Sequence, residues 1–270
     1  MEHTFPGTQT GKSTVGNLQE FYSRIVEYYD ELFPMDEGAL SCVLRLVEQL
    51  KKDSTVSPPP IFRYLGIGCG TGTLENRLST HNLDITGIDA NADMVATAQR
   101  RIKASFSTIR FFEMNSLDIG RFLKASSFNI IACVDNTLPY LGDRTLVRKF
   151  FHDTKKLLAP GGFLLLHVYN FGPDGENSSI MLPERSSIRV KLNRKLVPDG
   201  AGSLLLDAQL ELGNGQIVQL FKSTNILPLQ VSEIVEYARE AGFTGTTAFG
   251  GYGEEPLSPK DPFASIICQS

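Results

Sequence analysis

The chain has 270 residues, 41% hydrophobic and 21% charged, which is enough for one large domain, or one domain with an insertion, around an ample core. Its 26 basic and 30 acidic residues leave a formal net charge of −4, and the one dense basic stretch, 189–195 with Arg189, Lys191, Arg194 and Lys195, reads as the solvated face of a β-ribbon, so a nucleic-acid partner is not expected. Cys42, Cys69, Cys133 and Cys268 stand too far apart for a metal knuckle or a disulfide framework, and no apolar run reaches the roughly 20 residues of a membrane span; the expectation is a cytoplasmic protein with no metal and no membrane partner.

Residues 1–16 lack an apolar core and are expected to form a flexible N-terminus. Over 17–32, Leu18, Phe21, Tyr22, Ile25, Val26, Tyr29 and Leu32 recur at three and four residues, predicting a helix that Pro34 ends. Leu40, Val43, Leu44, Val47 and Leu50 predict a second helix over 37–52, and the Ser/Pro-rich stretch 54–60 closes an N-terminal helical lid and linker spanning 17–60. Strands expected over 61–67, 84–88, 109–113, 128–134 and 163–169 then alternate with helices over 74–79, 92–104 and 144–158. That alternation predicts a core domain, 61–170, with a parallel sheet between helices, its strand ends gathered on one edge where ligands of open α/β sheets bind.

After residue 170 the rhythm changes. Strand-like runs over 187–197, 203–212 and 216–227, joined by turns at 198–202 and 213–215, predict an antiparallel three-stranded ribbon within an insertion, 171–229. Ile188, Val190 and Leu192 give it an apolar face opposite Arg189, Lys191 and Asn193, and that face must be buried on something. Residues 230–270 return to the core with a helix over 231–241 and strands near 243–249 and 263–268.

The first strand runs into Leu65, Gly66, Ile67, Gly68, Cys69, Gly70, Thr71 and Gly72, and a lone Asp89 closes the next one seventeen residues later. Glycines at 68, 70 and 72 remove Cβ atoms that would block a ligand and permit positive φ, while an acid after the second strand suits a ribose diol; together they predict a nucleoside cofactor at the sheet edge. The plainer alternatives are a tight loop and an N-cap role for Asp89, although Asn91 already offers that cap.

In these features the chain resembles the class I S-adenosylmethionine-dependent methyltransferases, as it does in the Pro160-Gly161-Gly162 turn before the fifth strand and Ala241-Gly242-Phe243 before the sixth. The resemblance implies a Rossmann-like α/β fold: a seven-stranded, mostly parallel sheet with helices on both faces, here carrying the inserted ribbon. It also implies S-adenosylmethionine as cofactor and S-adenosylhomocysteine as product. Within the class the chain is most similar to glycine and sarcosine N-methyltransferases, through Tyr28-Tyr29-Asp30, residues 135–140 and the ribbon, which implies a small-molecule acceptor. A nicotinamide-dependent oxidoreductase is the competing reading, but its fingerprint calls for glycine where Thr73 stands.

Carried over position by position, the resemblance implies that Gly68, Gly70 and Gly72 approach the methionine and ribose moieties, that Asp89 accepts the ribose hydroxyls, and that Asn115 and Ser116 grip the adenine edge beneath Leu117. Tyr29 and Val134 complete the cofactor set. Tyr22, Asn136, Tyr140, Tyr169 and Asn170 are the acceptor-binding candidates, and Asn136 and His167 are the catalytic candidates, although a lone His at a strand end is more often a hydrogen-bonded core residue than a base. The family's usual acid two residues before the first glycine is replaced by Gly66, with Glu75, Tyr29 or Asp135 as substitutes. That departure leaves open a catalytically silent cofactor-binding protein of the same fold, beside a methyltransferase acting on protein or nucleic acid. The ribbon is expected either to roof the pocket or to offer a homodimer surface.

Overall fold

The computed structural model describes residues 14–102, 108–172, 175 and 177–270. The expected N-terminal tail, 1–16, lies outside the described residues up to 13, as does the end of the helix expected to reach 104. In chain order the first elements are α1 (Thr14–Ile25), α2 (Tyr29–Leu32), α3 (Glu37–Asp53), β1 (Arg63–Ile67), α4 (Thr73–Leu78), β2 (Asp84–Asp89), α5 (Ala92–Arg100) and β3 (Ile109–Glu113). They continue with α6 (Ile119–Phe122), β4 (Phe128–Cys133), α7 (Arg144–Leu157) and β5 (Leu158–Tyr169). The inserted strands are β6 (Ile180–Met181), β7 (Arg185–Ser186), β8 (Val190–Pro198), β9 (Leu204–Leu212) and β10 (Ile217–Ile226), followed by α8 (Val231–Glu240), β11 (Gly245–Gly250) and β12 (Phe263–Gln269).

The main sheet has the order β3-β2-β1-β4-β5-β12-β11, with β12 antiparallel to both neighbours and the remaining pairings parallel. Its central strands are buried on both sides, as Leu164, Leu165, Leu166 and Val168 in β5 show, because helices cover each face of a parallel sheet. Helices α7 and α8 close one face around Phe150, Phe151 and Ile234; α3, α4 and α5 close the other around Val43, Leu78 and Val95. The order reverses between β1 and β4, so the loops after β1, β2 and β4 open a crevice at the carboxyl edge. No helix of the described residues is long and apolar enough to cross a membrane.

Two expectations need correction. The helix expected over 17–32 is interrupted by a 3₁₀ turn, Val26–Tyr28. The break sends Tyr28 outward beneath the Arg189 guanidinium, 4.7 Å away, while Tyr29 turns toward Tyr22 and Phe33. The ribbon, secondly, belongs to a second, five-stranded sheet, with β6 and β7 both pairing β8. Two-residue strands carry too little periodicity to be read from sequence.

The apolar face of that sheet is buried on the N-terminal helices. Phe21, Ile25 and Leu32 pack with Val190, Leu192, Leu196, Leu206 and Leu210 in a third core. Ile188 precedes β8 and is fully exposed, so it does not belong to this face. Arg194 does: strand alternation places it inward, 8% exposed, its guanidinium 4.9 Å from the Phe33 ring centre, so only part of the basic stretch is solvated. Arg189 and Lys191 point outward, to Glu27 and Glu31 and to Glu184.

Candidate active site

Gly68 and Gly70 turn the chain out of β1 at φ +70° and +53°, a region closed to most side chains, and the amides of Gly68 and Cys69 donate to the Ile88 carbonyl at 2.8 and 3.0 Å. Asp89 fixes the far side of this loop. Its Oδ2 accepts from the Gly70 amide at 2.9 Å and its Oδ1 from the Asn91 amide at 2.8 Å, leaving further lone pairs on a carboxylate that borders the crevice. Burial raises its pKa while these amides oppose the rise. Asn91 caps α5 by accepting from the Met94 amide at 2.9 Å, so Asp89 does not serve as that cap.

The crevice is lined from the main sheet by Gly68, Gly70, Asp89, Ala90, Asn91, Met94, Asn115, Ser116 and Leu117, from the segment after β4 by Asp135, Thr137, Tyr140 and Leu141, and by Leu146 of α7. Leu18, Gln19, Tyr22 and Tyr29 close it from the N-terminal helices. Reciprocal bonds dock α1 there: Gln19 Nε2 donates to the Ala90 carbonyl, and Asn91 Nδ2 donates to the Gln19 carbonyl and Ser23 Oγ. Asp30 ties α2 to the glycine loop by accepting from Thr71 Oγ1 at 2.5 Å and pairing with Arg101.

Of the residues singled out in the sequence, Tyr22, Tyr29, Gly68, Gly70, Asp89, Asn115, Ser116, Leu117, Asp135 and Tyr140 line this cavity. Gly72 does not: a Cβ there would lie 2.5 Å from the Phe111 ring and 3.0 Å from Ala98, so this glycine lets β3 and α5 pack against the loop. Val134 lies behind the wall, its carbonyl accepting from the amide and hydroxyl of Thr137. Asn136 is 4% exposed and staples β4 to β5, its amide donating to the His167 carbonyl and its Oδ1 accepting from the Tyr169 amide at 2.8 Å. Asn170 holds the loop before β12 through the carbonyls of Ser258 and Asp261. Tyr169 packs on Phe171 and Phe263.

His167 is stacked between Tyr252, 4.1 Å away, and Phe263, 5.1 Å away, and desolvation lowers its pKa to about 4. It stays neutral at physiological pH behind the cavity wall. Burial likewise keeps the cavity tyrosines protonated: Tyr22 and Tyr29 are raised, and Tyr140 is pushed up to about 12. The cavity therefore offers hydroxyls and two carboxylates, Asp89 and Asp135, on an otherwise apolar surface. Sequence reasoning gave no cavity role to Leu18, Gln19, Met94, Leu141 or Leu146. Periodicity marks such residues as apolar or helical, not as facing a ligand.

Residues 65–162 match the family model described as a methyltransferase domain. A methyltransferase of Geobacillus sp. is 32% identical over 149 residues, which cover 55% of this chain and 58% of that protein, so the chain spans little more than half of this relative. The CcbJ methyltransferase from Streptomyces caelestis superposes with a TM-score of 0.72 at 15% identity, covering 93% of this chain and 98% of the other. The sugar N-methyltransferase KedS8 from a Streptoalloteichus species gives 0.62 at 13% identity, covering 100% and 98%. The fold is that of the S-adenosylmethionine-dependent methyltransferases, and residues 65–162 within it match the methyltransferase-domain model.

Proposed function

Because residues 65–162 match the model of a methyltransferase domain, we propose that the protein transfers a methyl group from S-adenosylmethionine to a small-molecule acceptor. One observation carries the reading: Asp89, bonded to the Gly70 amide, faces a cavity that also gathers Gly68, Asn115 and Ser116 at the carboxyl edge of the sheet. The residues fit the cofactor. Gly68 and Gly70 border the cavity beside Asp89, Asn115 and Ser116, and a Cβ at either would meet the Thr137 methyl at 2.7 Å or the Tyr29 ring at 3.3 Å, so glycine lets these two cavity-lining side chains sit against the loop.

When bound, the cofactor supplies a methyl group on a sulfonium that is already an activated leaving group, so the chain's work is placement and dehydration. Asp89 would hold the ribose hydroxyls, Asn115 and Ser116 would meet the adenine edge, and Met94 and Leu117 would offer apolar contact to the ring. Tyr22, Tyr29 and Tyr140 keep their hydroxyl protons and would orient an acceptor by hydrogen bonds. Closure of the cavity by α1, which shares a core with the inserted sheet, supports a small acceptor over a macromolecular one. The similar fold that acts on a sugar amine, together with the net charge of −4, agrees with that preference.

The test is calorimetric titration with S-adenosylmethionine and S-adenosylhomocysteine, followed by transfer of a labelled methyl group to a panel of amines, amino sugars and hydroxy acids. Binding of both and one labelled small product are expected. No heat and no thermal stabilisation with either ligand would refute the reading.

A further inference from the structure

Strand β1 carries glycine at position 66, on the buried part of a central strand and at the place where the resembled family usually has an acid. The space is not empty. A Cβ built on Gly66 would overlap Oε1 of Glu75 and lie 3.1 Å from its carboxyl carbon, so the α4 side chain fills the volume that a residue at 66 would take. Glu75 is 3% exposed, and among the described residues no Lys, Arg or His pairs with it. It accepts from its own backbone amide, and the Tyr64 hydroxyl lies 3.5 Å away, at the outer limit of a hydrogen bond. The other groups facing it are Cys69 in the glycine loop, Asp89 at the end of β2 and Asp135 after β4, which the Tyr252 hydroxyl approaches at 3.5 Å. A buried carboxylate without a cation, behind a glycine that makes room for it and beside two acids that border the cavity, is an arrangement that a cation would complete.

We propose that Glu75, reaching into the space left by Gly66, is the charge partner of the ammonium at the methionine end of the bound cofactor. This rests on the function proposed above. Burial first, then Asp135 and Asp89, push the Glu75 carboxyl up to about 7, so a cation that requires the ionised form binds with proton release. The sign follows: below pH 7 Glu75 is neutral and binding weakens, whereas above it the partner is charged beforehand.

The experiment measures dissociation constants for S-adenosylmethionine and for adenosine, which lacks the ammonium, at pH 6.0 and 7.5. In the unaltered protein, affinity for S-adenosylmethionine rises roughly tenfold between these values, the ratio expected for a group titrating near 7, while adenosine binding stays flat. Glu75→Gln weakens S-adenosylmethionine at pH 7.5 roughly tenfold, removes the pH dependence and spares adenosine. The double variant Gly66→Asp/Glu75→Ala returns a carboxylate from the strand and recovers affinity to within about threefold, whereas Gly66→Asp alone forces two carboxylates into one space and does not bind. Equal loss of adenosine and S-adenosylmethionine in Glu75→Gln, or an unchanged constant with the same pH slope, overturns the proposal. If Glu75→Gln does not fold, the double variant and the pH slope of the unaltered protein decide it. A protein that binds neither ligand at either pH refutes the proposed function instead, which keeps the two failures apart.

Discussion

Asp89→Asn is the sharpest perturbation of the cofactor floor, because it keeps the side-chain shape and removes only charge and one acceptor. In the folded chain both carboxylate oxygens accept from backbone amides, at 2.9 Å from Gly70 and 2.8 Å from Asn91. An amide side chain can satisfy one of them, and its NH₂ then confronts the other N–H. Losing one charge-assisted bond of this kind costs about 1.5–3 kcal/mol, so the ligand-free protein is expected to unfold about 3–12 °C lower, at roughly 2–4 °C per kcal/mol for a chain of this size. The ribose hydroxyls lose a charged acceptor as well, and a further ~3 kcal/mol between the two hydroxyls raises the dissociation constants roughly 100-fold. Titration calorimetry reads the second effect and thermal unfolding without ligand reads the first. Since the sugar is common to S-adenosylmethionine, S-adenosylhomocysteine and adenosine, all three must weaken together. A folded Asp89→Asn protein that binds any of the three within twofold of the unaltered chain would refute the assignment.

Phe111→Ala removes a 3% exposed ring that packs against Gly72 and Gly87, and a loss of about 3–5 kcal/mol is expected in urea unfolding. Asp30→Asn loosens the tie between α2 and the glycine loop; both partners are about a third exposed, so stability changes by less than about 1 kcal/mol, while the cofactor off-rate, followed by stopped flow, rises severalfold. His167 and Glu75 oppose one another as pH changes. The unfolded chain protonates His167 near 6.5 and the folded chain near 4, so its stability contribution is full above 6.5 and lost as pH falls to 4; Glu75, near 4.5 unfolded and about 7 folded, contributes fully below 4.5 and less as pH rises to 7. Each spans about 3 kcal/mol, so urea midpoints of His167→Phe fall from pH 4.5 to 7, those of Glu75→Gln rise over that interval, and parallel profiles would show that the two groups are not linked in this way.

The main sheet was legible because its strands are buried on both faces and separated by amphipathic helices, a pattern that apolar runs and periodicity report directly. Asp89 and the glycine loop were legible for another reason: positive φ at Gly68 and Gly70 and an acid at a strand end are local requirements with local sequence marks. Gly72 meets the same backbone requirement at φ +71° but shows where the step from glycine to ligand contact stops. The same residue type, in the same run, answers to Phe111 and Ala98 thirty-nine and twenty-six residues away, and no local signal separates a glycine that admits a ligand from one that admits a neighbouring strand. Alternation put His167 at the right strand end but could not foretell the rings of Tyr252 and Phe263 that enclose it, since both arrive from the far C-terminal hairpin. The inward turn of Arg194 is similar. Strand parity alone places it with Val190, Leu192 and Leu196, yet a charged residue in a basic stretch suggests solvent until Phe33 is known to lie over it.

The third core has a consequence for how the cavity is closed. Tyr22 and Tyr29, which line it, sit on helices whose apolar residues Phe21, Ile25 and Leu32 are buried against the inserted sheet, not against the main one. The main sheet holds these helices through polar bonds: Gln19 to Ala90, Asn91 to Gln19 and Ser23, Asp30 to Thr71 and Arg101. Apolar burial of three large side chains against a second sheet far outweighs a handful of partly solvated hydrogen bonds, each worth about 1 kcal/mol. The weak seam of the molecule therefore runs along the cavity, and opening should carry α1, α2 and the inserted sheet away together while the glycine loop and Asp89 stay with the main sheet. Hydrogen exchange follows from the same energetics: amides of α1 and β8 should gain protection as one unit on ligand binding, and gain in α1 without β8 would mean that the helices move alone.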